Sequence, residues 1–294
     1  MPNQGFFAVF DGHGGRSAAA WCGEHFHKVL ARNLAHARSS GVRVPDPPHT
    51  PVAEIMDQTF AEVDSCLTAD QGIYSGCTAI VALLRPESPP ARGPGTGAEG
   101  MPRPSLVLHT ANVGDSRAVL CRAGRPLRLS YDHKGSDLVE QQRVREAGGF
   151  ILNERVNGML AITRALGDAE MKDYISGRPY TCEVVLDRTT DSFLILACDG
   201  LWDVCSDQMA CDLIADVEDP QVAAEKLVSY GLANGSYDNL SVLTVRFVDS
   251  DDADGPDLPP SSASEAPGAE LRPLDPGQRA AVASASARQV EQKE

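Results

Sequence analysis

Four times in this chain an apolar run abuts an aspartate flanked by glycine, serine or asparagine: Phe10-Asp11-Gly12, Gly114-Asp115-Ser116, Cys198-Asp199-Gly200 and Asp238-Asn239. The first instance constrains the fold most. Residues 5–10 are apolar, aromatic and β-branched. They read as a buried strand stopped by Asp11-Gly12-His13-Gly14-Gly15. Glycines there let the backbone approach a ligand or take a positive φ. Each aspartate pair is also ordinary turn chemistry. Four of them beside core strands predict carboxylates gathered at one end of a sheet system. Such carboxylates repel and raise one another's pKa, and divalent cations relieve the repulsion. All-oxygen ligation, with no Cys or His cluster at metal spacing, suits Mg²⁺ or Mn²⁺ better than Zn²⁺. A pair of such ions activates water for attack at phosphorus.

The intervening chain predicts antiparallel order rather than strand–helix–strand alternation. Helices are expected over residues 16–37 and 52–69. Ile55, Met56, Phe60, Val63 and Leu67 share one face of the second, and the two are expected to lie antiparallel over a sheet. Strands are expected over 76–84 and 105–113. Gly114-Asp115-Ser116 predicts a tight hairpin into 118–121, and Arg122-Ala123-Gly124-Arg125 a second into 126–130. A helix over 136–147 takes Ser136 as N-cap and ends at Gly148-Gly149. Short strands are expected over 150–153 and 159–162, then an irregular stretch over 169–183. A strand over 192–198 follows. After it come helices over 207–217, capped by Ser206, and 220–233, opened by Pro220. Residues 240–248 form the last strand. Residues 38–51 and 85–104 are Pro/Gly-rich loops. The polar tail from Asp249 is expected to be disordered.

Charge narrows the partners. The net charge is −15, of which the tail contributes −6 (ten acids, four bases) and the body −9. Binding nucleic acid through its phosphates needs the opposite sign. The first residues lack the basic and apolar pattern of a signal peptide, and no 18-residue apolar run occurs. The expectation is therefore no membrane partner, a cytoplasmic or nuclear location, and eight reduced packing cysteines without a C-x-x-C pair.

These motifs, in order, resemble the PP2C (PPM) family of metal-dependent Ser/Thr protein phosphatases. The matching residues are Phe7-x-Val9-Phe10-Asp11-Gly12-His13-Gly14-Gly15, Ser75-Gly76-Cys77-Thr78-Ala79, Asn112-x-Gly114-Asp115-Ser116-Arg117, Thr163-Arg164-Ala165-Leu166-Gly167-Asp168, Asp199-Gly200-Leu201-Trp202-Asp203 and Asp238-Asn239-x-Ser241-Val242. They span residues 5–248 and look most like the fungal type-2C subgroup, which implies substrates in kinase-cascade signalling. The resemblance implies an α+β fold with four layers, αββα: an antiparallel β-sandwich flanked by helix pairs, monomeric, with phosphorylated proteins as partners. It divides the chain into a phosphatase domain over 1–248 and a tail over 249–294. By the same resemblance Asp11 bridges two Mg²⁺ or Mn²⁺ ions and the Gly12 carbonyl ligates the second. Asp199 and Asp238 complete the first. Asp115, with Asp199 and Asp203, holds a weaker third. His13 is the general acid that protonates the leaving oxygen, and residues 169–183 occupy the place of a substrate flap.

Some residues carry plainer readings. Arg164 and Asp168 are expected to form an ion pair bracing their loop, His133 to be a loop residue, and Trp202 to plug the core. The family places two further strands before the opening stretch. They carry an Arg that grips the substrate phosphate and an acid that supports the second metal. With Phe6 five residues from the start, both are expected to be missing, as a fragment or a mis-set start would produce. Three functions stay open: a phosphoprotein phosphatase, a catalytically impaired phosphoprotein-binding module, and a hydrolase of small phosphoesters. The retained acids favour an enzyme.

Overall fold

The structure is a computed structural model and describes residues 4–39, 52–70, 72–87, 104–248 and 280–285. Of the expected loops at 38–51 and 85–104, residues 40–51 and 88–103 lie outside the described residues, as does most of the tail, while residues 38–39 end a helix and 85–87 end a strand. No helix among the described residues is long and apolar enough to cross a membrane.

Two antiparallel sheets stack face to face. The first runs β1 (Gly5–His13), β2 (Gly76–Glu87), β3 (Ser105–Val113), β9 (Tyr180–Val185), with β8 (Leu166–Gly167) beside β2. The second runs β12 (Ala280–Ala285), β11 (Leu240–Arg246), β10 (Asp191–Ala197), β4 (Arg117–Arg122), β5 (Arg125–Arg128). Between them Phe7, Val9, Ile80, Leu120, Leu194 and Leu196 form a buried apolar core. Helices α1 (Ser17–Ser39) and α2 (Val52–Ala69) cover the outer face of the first sheet. Phe26 sits there against Phe6, Phe10 and Phe60, and burying such a ring contributes about 1.5–3 kcal/mol. Helices α5 (Asp207–Ile214) and α6 (Pro220–Ala233) cover the second sheet. The layers are therefore αββα, as the resemblance implied. Strand β10 is apolar on both faces because Leu194 and Leu196 enter the sandwich while Phe193 and Ile195 meet the helices.

Four differences from expectation shape the site. First, β1 does not stop at Asp11. It pairs with β2 through Asp11↔Thr78, Gly12↔Cys77 and His13↔Gly76, and the turn falls at Gly14 and Gly15, both at positive φ. Second, Gly114-Asp115-Ser116 is not a hairpin. β3 and β4 lie in different sheets, so these residues carry the chain from one sheet to the other. Gly114 has φ +82, and a Cβ there would stand 2.6 Å from Thr78 Cγ2. Third, residues 169–183 are partly regular: a 3₁₀ turn at Ala169–Met171 precedes β9. Fourth, the tail is not wholly without partners. β12 pairs with β11, where an Ala/Val/Ser run occupies an otherwise open edge.

Helix α3 (Leu138–Glu146) is capped by Asp137, whose side chain accepts from the backbone N–H groups of Val139 and Glu140. Ser136 is not the cap, because the helix starts one residue later than its sequence suggests. Asp137→Ala is expected to cost about 1 kcal/mol, and Ser136→Ala less than about 0.5 kcal/mol. Urea unfolding of both variants checks the assignment. Ser206 does cap α5, accepting from Met209 N at 3.2 Å.

Candidate metal centre

Strand parity builds the site. Side chains on β1 alternate, and Phe7 and Val9 point between the sheets, so Asp11 and His13 emerge on the same side at the open end. The sheet-to-sheet crossing delivers Asp115 to that end. Thr78 Oγ1 and Ser116 Oγ are hydrogen-bonded at 2.6 Å and pin the crossing to β2. β10 delivers Asp199, the first residue of α4 (Asp199–Trp202). The loop before β11 delivers Asp238. Three contacts clamp these two segments together: Cys198 Sγ donates to Asn239 O at 3.0 Å, Ser241 N donates to Cys198 Sγ at 3.2 Å, and Ser236 Oγ donates to Gly200 O at 2.6 Å. A side chain at Gly200 would overlap the Asn239 carbonyl. Trp202 locks α4 from below; it is buried, and its indole N–H donates to Ala197 O at 2.9 Å.

The result is one cleft of about 560 Å³ containing Asp11, Gly12, His13, Asp115, Asp199, Asp203 and Asp238. All seven residues named above from the sequence as metal ligands or acid catalyst line it. One carboxylate oxygen each of Asp11 and Asp199 and the Cys198 thiol lie within 4.8 Å of one another. Burial, reinforced by Asp238 and Asp115, pushes the Asp11 carboxyl up to about 6. Burial and the charges of Asp115, Asp11 and Asp238 push Asp199 up to about 7. Asp115 is raised by burial and partly relieved by Lys134.

These residues fit a divalent cation. Asp199 Oδ1 is buried without a hydrogen-bond partner among the described residues, a costly state for a charged oxygen unless something cationic binds it. A Cβ at Gly12 would come 3.0 Å from Gly15 O and 3.2 Å from Ala19 Cβ, so close packing against the start of α1 leaves little room for a side chain between Asp11 and His13. The donor set is hard. Although Cys198 stands close, burial raises its thiol to about 12 and both its hydrogen-bonding roles are taken, leaving oxygens for a cation such as Mg²⁺ or Mn²⁺.

Sequence reasoning misplaced or missed several neighbours. Arg164 and Asp168 do not pair with each other. Arg164 donates to Glu140, Nη2 to Oε1 at 2.6 Å, while Asp168 Oδ2 lies 2.7 Å from His13 Nε2. Burial alone would raise Glu140, but Arg164 and Arg143 outweigh it and hold it near 2. Lys134 was passed over as a neighbour of His133. Its ammonium lies 3.0 Å from Asp203 and 3.6 Å from Asp115, so part of the implied third metal's acid set already holds a cation. A lone lysine between Asp132-His133 and Gly135 was the available signal. His133 is a loop residue as expected, and a buried one that braces the loop. Its Nδ1 lies 3.1 Å from Gly114 O, and burial lowers it to about 4. The cleft wall is not residues 169–183 but 134–136 with parts of 153–162. There β6 (Ile151–Leu152) and β7 (Arg155–Val156) form a hairpin through Asn153 and Glu154. Both turn residues have positive φ, the mirror-image turn hairpins prefer, and without a glycine it was easy to miss.

Comparison with known proteins shows what the chain is similar to. The profile of the family described as Protein phosphatase 2C matches residues 2–240. Protein phosphatase 2C homolog 1 of Saccharomyces cerevisiae is 45% identical over 241 residues, covering 82% of this chain and 81% of the relative. Its counterpart in Schizosaccharomyces pombe is 42% identical over 246 residues, covering 83% of this chain and 64% of the relative. Among solved structures, a Caenorhabditis elegans sex determining protein superposes with a TM-score of 0.67 at 26% identity, over 82% of this chain and 56% of that one. A phosphatase from Toxoplasma gondii also gives 0.67, at 23% identity, over 83% of this chain and 85% of that one.

Proposed function

Because this chain belongs to the protein phosphatase 2C family, we propose that it hydrolyses phosphoserine and phosphothreonine in proteins, with Asp11, the Gly12 carbonyl, Asp199 and Asp238 holding two Mg²⁺ or Mn²⁺ ions. The observation that carries this reading is the buried, unpartnered Asp199 Oδ1 beside Asp11, in a cleft where burial and mutual repulsion raise Asp11, Asp115 and Asp199. When bound, the ions supply charge neutralisation and a nucleophilic water. The chain's own groups supply the rest. The carboxylates fix the ions at the mouth of the sandwich. His13, partly exposed in the same cleft, gives its proton to the departing Ser or Thr oxygen. Lys134 offsets the charge of Asp115 and Asp203 at the cleft wall.

We also propose a cytoplasmic or nuclear site of action, a reading with which the eight free cysteines, six of them buried, are compatible.

Turnover of a phosphothreonine peptide tests the reading. With Mn²⁺ or Mg²⁺ present, release of phosphate is expected, and excess EDTA is expected to abolish it reversibly. Phosphate release that persists unchanged in EDTA would overturn the metal assignment. Binding of the phosphopeptide with no release would favour the impaired binding module.

A further inference from the structure

Asp168 has been given no role in the reaction, yet the fold presses it onto His13. Its carboxylate Oδ2 lies 2.7 Å from His13 Nε2, and Asp168 itself is buried. The contact is built from three directions. β8 pairs with β2 through Gly76↔Gly167, the same Gly76 that faces His13 in the β1–β2 ladder. At Gly76 any side chain would overlap the Asp168 carboxylate. Gly167 has φ +82, and a Cβ there would stand 2.6 Å from Ser75 O. Asp168 itself takes a left-handed backbone, φ 52 and ψ 49, which costs about 1 kcal/mol or more for a residue other than glycine. From outside the cleft, Asp64 on α2 accepts from Gly167 N at 2.9 Å and from Lys172 Nζ at 2.8 Å.

An aspartate before a 3₁₀ turn would ordinarily cap it, but Asp168 makes no side-chain cap bond. Its side chain is spent on the imidazole instead. A carboxylate only accepts, so the shared proton sits on Nε2 when His13 is neutral. That leaves Nδ1 as the ring nitrogen that exchanges a proton with substrate.

We propose that Asp168 is a positioning residue for the general acid: it fixes the ring orientation and tautomer of His13 so that Nδ1 delivers its proton to the leaving oxygen. This rests on the reading of His13 as that acid. Water forms a new bond to phosphorus as the P–O bond to Ser or Thr breaks. The leaving oxygen keeps that bond's electron pair and takes the Nδ1 proton of the imidazolium. His13 is left neutral with Nε2–H on Asp168, and the proton lost by the attacking water passes to solvent.

The test compares a phosphothreonine peptide, whose alkoxide needs a proton, with p-nitrophenyl phosphate, whose aryloxide does not. Full-length wild type, His13→Ala, Asp168→Asn and the double variant are assayed with saturating Mn²⁺. Asp168→Asn is expected to lower kcat on the peptide by about 10²-fold and on the aryl ester by less than about 3-fold. It is expected to add nothing on the His13→Ala background. A purely structural role would lower both substrates alike. Equal losses, or no loss on either, would overturn the proposal. If His13→Ala itself shows no alkyl–aryl split, the general-acid reading falls first. If His13→Ala splits and Asp168→Asn does not, only the positioning role falls. Should Asp168→Asn fail to fold, Gly76→Ala displaces the carboxylate without changing it, and the same split is expected there.

Discussion

Asp199→Asn is expected to lower metal-dependent phosphopeptide turnover by about 10³-fold or more, and in the same protein to raise the melting temperature of the metal-free chain at pH 7.5. Both effects come from one carboxylate. Burial and then the charges of Asp115, Asp11 and Asp238 push it up to about 7. The folded chain therefore binds this proton more tightly than the unfolded chain does, with its ordinary carboxylate value near 4. The stability tied to it is fully present below about pH 4 and is lost as the pH rises through about 7. Asparagine keeps the shape and removes the charge, so the loss disappears. The gain at pH 7.5 is expected to be on the order of 4 °C, shrinking to nothing at pH 4. Saturating Mn²⁺ should stabilise wild type more than the variant. Calorimetry at the two pH values, with and without Mn²⁺, reads all of this. Full turnover in Asp199→Asn would remove this residue from the metal set.

His13→Ala is expected to cost about 10²–10⁴-fold on phosphothreonine peptides and no more than about 10-fold on p-nitrophenyl phosphate. The ring emerges from β1 on the same face as Asp11 and lies in the cleft, backed by Asp168. A serine or threonine alkoxide is a poor leaving group without a proton, whereas nitrophenolate leaves unaided. Steady-state kinetics on the two substrates separate the cases, and equal losses would remove His13 from the role of acid.

Much of the fold could be read from the chain because its elements advertise themselves locally. The apolar face of α2 and the cap and proline that open α5 and α6 set their starts as expected. The misreadings at Gly114-Asp115-Ser116, Arg164, Asp168 and Lys134 share one cause: they depend on which segments are neighbours in space. Gly-Asp-Ser between apolar runs looks the same whether the chain folds back within a sheet or crosses to another. Only packing shows that β3 and β4 belong to different sheets. That crossing is what carries Asp115 into the cleft. Arg164 and Asp168 sit four residues apart and invite pairing, but β8 lies along β2. One side chain thereby turns to Glu140 and the other to His13. Lys134 finds Asp203 across 69 positions of sequence, a distance no local pattern spans. The aspartates themselves were legible because turn residues repeated at the ends of core strands are a pattern in the sequence as much as in space.

Divalent cations among Asp11, Asp199 and Asp238 are central to the proposed activity. Crystals of the full chain grown with MnCl₂, with diffraction recorded at the manganese absorption edge, test their presence most directly. Anomalous peaks are predicted in the cleft, bounded by these three carboxylates and the Gly12 carbonyl, and are expected to vanish in Asp199→Asn. Manganese bound only elsewhere on the acidic surface, with the cleft empty in wild type, would contradict it.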